Sequence, residues 1–111
     1  MAKIAEYREA VKQIIRDHAR HQLAYGEIEV QPVFDTEGDH YQLIHAGWHK
    51  KQRQYGCLMH IDIKDGKIWI QYDGTEAGVA NELVALGVPN SDIVLAYLSP
   101  FARQHTEFAY N

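Results

Sequence analysis

The segment "HIDIKDG", His60 to Gly66, places Asp62 two residues before Lys64, an acid-x-lysine step. Metal-dependent phosphodiester hydrolysis uses such a pair, with carboxylates holding the ion and a lysine beside the attacking water. A working centre needs a second acid, and Asp35 or Asp39 would have to converge on Asp62. A metal-dependent nuclease of restriction type using Asp62 and Lys64 is therefore one function the sequence allows. Position argues against it. Lys64 directly precedes Asp65-Gly66, the strongest short hairpin signal in the chain, so the lysine falls at a solvent-exposed tip. A three-residue motif recurs by chance, and the polar face of a hairpin is the plainer reading.

Seven histidines and a single cysteine raise the question of a metal centre. His40, His45, His49, Cys57 and His60 fall in neighbouring strand-like runs. Alternation along a strand predicts His40 and His45 on opposite faces, and likewise Cys57 and His60. Cys-x-x-Cys does not occur, and the reading includes no metal ligands, no cofactor and no catalytic residues. Cys57 reads as a small buried hydrophobe. Being alone, it excludes an intrachain disulfide and suits a reducing cytoplasm.

The elements that must position these residues follow from period and punctuation. At 111 residues, 46% hydrophobic and 23% charged, residues 1–111 read as one globular domain. Ile4, Tyr7, Val11, Ile14, Ile15 and His18 recur on one face of a first helix, which should end before Tyr25-Gly26. The period then changes to two. Ile28, Val30 and Phe34 mark a strand that Pro32 assigns to an edge or a bulge. "HYQLIHAGWH" is a second strand and Tyr55 to Lys64 a third, with Cys57, Met59, Ile61 and Ile63 opposing Leu58, His60 and Asp62. "KIWIQY" returns with Ile68, Ile70 and Tyr72 inward and Trp69 and Gln71 outward. "DGTEAGVANELVALGVP" is a second helix that Thr75 can cap, with Val79, Leu83, Val84 and Leu86 as its stripe and Gly78 a place for close backbone approach. A fifth strand spans Ile93 to Leu98, and the tail after it has no clear period. The expected fold is α+β: an N-terminal helix, an antiparallel meander of about four strands, a helix and a fifth strand.

A net charge of −4 gives no global attraction to phosphates. DNA binding is expected to be weak at most, through Lys50, Lys51 and Arg53 in a solvated hairpin loop. The first helix mixes both charge signs, unlike a signal peptide or a membrane span. Aromatic residues exceed what one small core requires. Trp69 faces away from Ile68 and Ile70, with Leu58 on the same second face of the preceding strand, and this face wants a cover. Trp69 and Leu58, with Phe101, Arg103 and Phe108 of the tail, are the expected partner-binding residues. Tyr72 and Tyr97 are expected in the core. A homodimer through Trp69 is the expected state in the absence of another partner.

Beyond these patterns, "YGEIE", "DHYQL", "GW", "KIWIQYDGTE", "ELVALGVPNSDIVL" and the closing "PFAR" resemble the XisI family, the cyanobacterial fdxN element excision controlling factors. The resemblance runs through almost the whole chain. It implies a small non-enzymatic accessory protein that acts with a XisH-like companion and a site-specific recombinase. It also implies that any phosphodiester chemistry belongs to the companion, which resembles restriction-type nucleases.

Overall fold

The computed structural model describes residues 2–21 and 27–111. Helix α1 (Ala2–His21) is followed by strands β1 (Glu27–Asp35), β2 (His40–His49), β3 (Gln52–Lys64) and β4 (Lys67–Asp73). Helix α2 (Val79–Ala85), a 3₁₀ turn (Asn90–Asp92), strand β5 (Ile93–Leu95) and a short helix α3 (Pro100–Arg103) complete the chain. The strands lie in sequence order in one five-stranded sheet; β1 to β4 are antiparallel, and β5 runs parallel to β4. The expected α+β order is present. Termination of α1 at Tyr25-Gly26 lies outside the described residues.

One face of this sheet is the core. Tyr7, Val11, Ile14 and Ile15 of α1 and Val79 and Leu83 of α2 pack on Tyr41, Leu43, Met59, Ile61, Ile63, Ile68 and Ile70. The three and four residue spacing of α1 meets the period-two spacing of the strands, which is why an amphipathic helix and a half-buried meander fit together. Polar ties fix the helix on the sheet. Arg8 donates to both Asp39 oxygens at 2.8 and 3.0 Å, and the Tyr41 hydroxyl donates to Asp39 at 2.8 Å. The Arg8 hydrogen bonds hold the Asp39 carboxyl below its ordinary range against the opposing effect of burial. At the other corner Tyr7 donates to buried Asp92, and Lys3 pairs with the same carboxylate at 2.7 Å.

Several boundaries differ from the periodic reading. Strand β1, which carries Pro32, is indeed at the edge of the sheet, where a missing amide costs no ladder bond. The loop expected over His49 to Gln54 is a tight turn at Lys50 and Lys51, so Arg53 lies inside β3. Helix α2 begins at Val79 rather than near Thr75. Its leading amide donates to the Asp73 carboxylate at 2.8 Å, while Thr75 Oγ1 accepts the Gly78 amide at 3.1 Å. Asp73 therefore does the capping expected of Thr75. Val84 and Leu86 are exposed instead of completing the helix stripe. Gly78 serves through its positive φ of 90°. Close backbone approach belongs to Gly47, where a Cβ would lie 2.0 Å from the Glu27 carbonyl oxygen. The fifth strand stops at Leu95, and the tail closes by a bridge between Ala109 and Val94.

Candidate functional site on the open face of the sheet

Two β-bulges decide which side chains reach the open face. Between β2 and β3, Leu43 pairs with Met59 but Ile44 pairs with Cys57, leaving Leu58 as the extra residue. Between β3 and β4, Ile61 pairs with Ile70 but His60 pairs with Tyr72, leaving Gln71 as the extra residue. An extra residue inverts the parity of everything beyond it. Leu58 consequently turns to the helix side, packing on the core and lining a cleft with His18, Leu43 and Met59. Strict alternation predicted that it shares the face of Trp69, and it does not. Cys57 moves the other way and shares the open face with His60; Gln42 donates to its sulfur at 3.9 Å. The thiol points to the Met59 carbonyl, and burial pushes its pKa up. Tyr72 is also reversed. It was expected inside with Ile68 and Ile70 and is 51% exposed outside.

On this face the hairpin register sets His40 opposite Asp62, while His60 lies two residues before Asp62 on the same strand and the same side. His40 Nδ1 is 2.8 Å from Asp62 Oδ1, and His60 Nε2 is 2.9 Å from that same oxygen. Gln71, displaced outward by its bulge, donates to the other oxygen, Oδ2, at 3.2 Å. The hydrogen bond that its ring donates to the Asp62 carboxylate raises the His40 imidazole above its ordinary pKa. Three potential metal-ligating atoms thus lie within 4.8 Å of one another. The sequence reading missed this cluster because two of its members meet across strands. The signal was there in part: His60-Ile61-Asp62 has the i, i+2 spacing of one strand face, but the turn at Lys50 and Lys51 alone would set His40 opposite Ile61, and the bulge at Leu58 is what brings it opposite Asp62.

The acids expected to meet Asp62 are occupied elsewhere. Asp39 holds Arg8 and Tyr41 on the helix side, and Asp35 Oδ1 accepts the amides of Glu37 and Gly38 within the β1–β2 turn. Lys64 lies with its ammonium 4.1 Å from the centre of the Trp69 ring. Among the described residues, the second carboxylate of the nuclease reading does not meet Asp62.

The expected partner-binding residues divide into different environments. Trp69 does face away from the core, half-buried, with its indole nitrogen donating to the Lys64 carbonyl at 3.0 Å. Arg103 lies 5.9 Å from its ring centre and donates to the carbonyls of Leu98 and Ala96. Phe108 packs against the core, whereas Phe101 is 71% exposed. Tyr97, expected in the core, is half exposed. The most exposed aromatic ring on β3 is Tyr55, at 68%, with Trp48 also exposed on the adjoining strand. Arg53 stands 5.7 Å from the Trp48 ring. No helix among the described residues is long and apolar enough to cross a membrane.

Comparison with known proteins fits this architecture. The family model for the XisI protein matches residues 1–110. The solved structure of a XisI-like protein from Anabaena variabilis ATCC 29413 is 43% identical, with a TM-score of 0.90 over 95% of this chain and 96% of that one. The fdxN element excision controlling factor XisI of Anabaena variabilis ATCC 29413 is 30% identical, with a TM-score of 0.83 over 98% and 99% of the two chains. No curated protein matches the chain. A match over nearly every residue, together with a shared helix-on-sheet fold, places this chain in the XisI family.

Proposed function

We propose that this protein is an accessory control factor for site-specific excision of a DNA element, acting by protein–protein contact with a XisH-like partner. The observation that carries the reading is the aromatic open face, where Trp48, Tyr55 and Tyr72 remain substantially exposed. Rings of this type dominate interface energetics when a partner desolvates them. The relative described as an excision controlling factor supports the biological setting. Acidic net charge supports contact with a protein over direct attraction to DNA. In this reading the protein is not itself the enzyme, and it meets DNA weakly at most, through Lys50, Lys51 and Arg53.

Without the partner, the same face pairs two copies of the chain as a homodimer. Trp69 is partly covered by Lys64 and Arg103 of its own chain, so the contact centres on Trp48 and Tyr55, with Trp69 at its margin. The test is co-expression with a XisH-like protein followed by size-exclusion chromatography. Wild type co-elutes with it, while the double variant Trp48→Glu, Tyr55→Glu elutes alone and remains folded by circular dichroism. Failure of wild type to co-elute overturns the proposal. The nuclease reading is tested on supercoiled DNA with magnesium or manganese: cleavage that disappears in Asp62→Ala would replace the control-factor reading with an enzymatic one.

A further inference from the structure

We propose that His40, His60 and Asp62 bind a first-row divalent transition-metal ion, with zinc the favoured occupant, on the open face of the sheet. The inference is independent of the docking reading, because it stands on the convergence of two imidazole nitrogens and one carboxylate oxygen. Tetrahedral coordination at about 2.0–2.2 Å sets ligand atoms roughly 3.3 Å apart. Two of the three separations are 2.8 and 2.9 Å, and all fall within 4.8 Å. Side-chain adjustments on the order of 1 Å therefore suffice to admit an ion, with no change of backbone.

The donor set chooses the ion. Two imidazoles with one carboxylate suit zinc, cobalt, nickel or iron(II), whereas magnesium and calcium prefer sites made wholly of oxygen. Cys57 lies on the same face but aims its thiol at the Met59 carbonyl, so the proposed set is two nitrogens and one oxygen. Position on the sheet supplies rigidity. His40 begins β2, and His60 and Asp62 lie on the central strand β3, so register rather than a mobile loop brings them together. Gln71 holds the far carboxylate oxygen, which leaves Oδ1 turned to the imidazoles. Outer hydrogen bonds of this kind orient metal ligands. The Asp62 side chain is only 16% exposed while that of His40 is 56% exposed. One side of the ion is thus fixed by protein and the other is open to water or an incoming ligand. A three-ligand site of that shape leaves a coordination position available.

Untagged protein, stripped with a chelator, is titrated with zinc chloride by calorimetry and with cobalt chloride by visible absorption. One equivalent of zinc binds at micromolar concentration or tighter, and cobalt gives the absorption of a low-symmetry nitrogen and oxygen site. His60→Ala and Asp62→Asn each weaken binding by more than tenfold. Gln71→Ala weakens it by about tenfold as an orienting residue. His105→Ala, in the tail, leaves binding unchanged. In wild type, zinc moves the ring resonances of His40 and His60 in NMR spectra and leaves that of His18 in place, a readout that needs no variant to fold. Absence of saturable zinc binding up to millimolar concentration overturns the proposal and reduces the cluster to a cross-strand ion pair. One-equivalent binding that survives both His60→Ala and Asp62→Asn overturns it equally, by placing the ion elsewhere.

Discussion

The helix-covered face of the sheet and its open face come from the same strands, yet the first is almost wholly aliphatic and the second mixes aromatics, histidines and a carboxylate. Ile61 and Asp62 are adjacent in sequence; one is fully buried beneath the helices and the other gathers two imidazoles and an amide. Burial on the inner face is insensitive to which apolar side chain stands at a given point, provided volume is kept. Chemistry on the open face depends on which residue stands opposite which. The inner face therefore sets whether the chain folds, while the open face depends on exact register for anything it does.

The sharpest way to break that division is to delete matching bulk from both sides. Ile61→Ala removes a fully buried side chain and lowers unfolding free energy by about 2–5 kcal/mol. Tyr55→Ala, on the open face, changes it by no more than about 0.5 kcal/mol and is expected to weaken the proposed homodimer. Urea unfolding followed by circular dichroism, with sedimentation equilibrium alongside, measures both. Comparable destabilisation by the two variants would show that the open face is part of the folding core.

This division also explains what could be read from sequence. Period two set Met59, Ile61 and Ile63 on one face of their strand and turned Ile68 and Ile70 inward, and all of them are buried, because solvent exclusion imposes that pattern on a half-buried strand. It misplaced Leu58, Cys57 and Tyr72, since a bulge adds a residue without a composition that announces it. The fold survives such a miss. The candidate site does not, because the bulge at Leu58 is what sets His40 opposite Asp62, and Gln71 reaches Asp62 only through its own bulge. Thr75 illustrates a smaller failure of the same sort: an N-cap residue was expected from local sequence, but Asp73, two residues earlier and at the end of a strand, reaches the helix amide.

A second comparison sets the close packing of backbone at the β1–β2 edge against the open surface around it. Gly47→Ala drives a methyl group onto the Glu27 carbonyl and forces β1 outward, costing about 1–3 kcal/mol. Gly66→Ala meets no atom within 4 Å, but its φ of 77° still strains an alanine. Hydrogen exchange separates the two mechanisms. Gly47→Ala exposes amides of β1 and β2 selectively, whereas Gly66→Ala affects the β3–β4 turn. Uniform loss of protection in Gly47→Ala would mean that β1 is inseparable from the core.

Between the faces, Asp92 is a buried charge on the helix side. Burial alone would raise its carboxyl pKa, but hydrogen bonds from Lys3 and Tyr7, with the Lys3 and Lys67 charges, outweigh it and hold the pKa below the ordinary carboxylate range. A depressed folded-state pKa contributes stability above the unfolded value, and that contribution is lost as pH falls through the folded value. Tyr7→Phe removes one of the compensating bonds and costs about 1–3 kcal/mol near neutrality. The difference between wild type and Tyr7→Phe should narrow below the ordinary carboxylate range, where Asp92 takes up its proton. Acid denaturation of the two proteins checks the sign; a gap that widens toward low pH would exclude Asp92 as its source.

The smallest effect concerns the tail, which closes over part of the open face. Arg103 sends Nε to the Leu98 carbonyl at 3.1 Å and a terminal nitrogen to the Ala96 carbonyl at 3.3 Å. Its guanidinium carbon is 5.9 Å from the Trp69 ring, near the outer limit of useful cation–π attraction. The fork-shaped donor is therefore expected to matter more than the charge. Arg103→Lys keeps the charge but loses the fixed geometry of the fork, and a lysine ammonium cannot reproduce both contacts in the same way. Arg103→Lys and Arg103→Gln should each destabilise the protein by about 1 kcal/mol, in line with the loss of hydrogen bonds made by a charged donor. Both variants should increase amide exchange in the last ten or so residues and shift Trp69 fluorescence as the tail loosens. Wild-type stability in Arg103→Lys, with loss only in Arg103→Gln, would assign the clasp to charge over the Trp69 ring, making that ring part of the tail's anchorage rather than surface left for a partner.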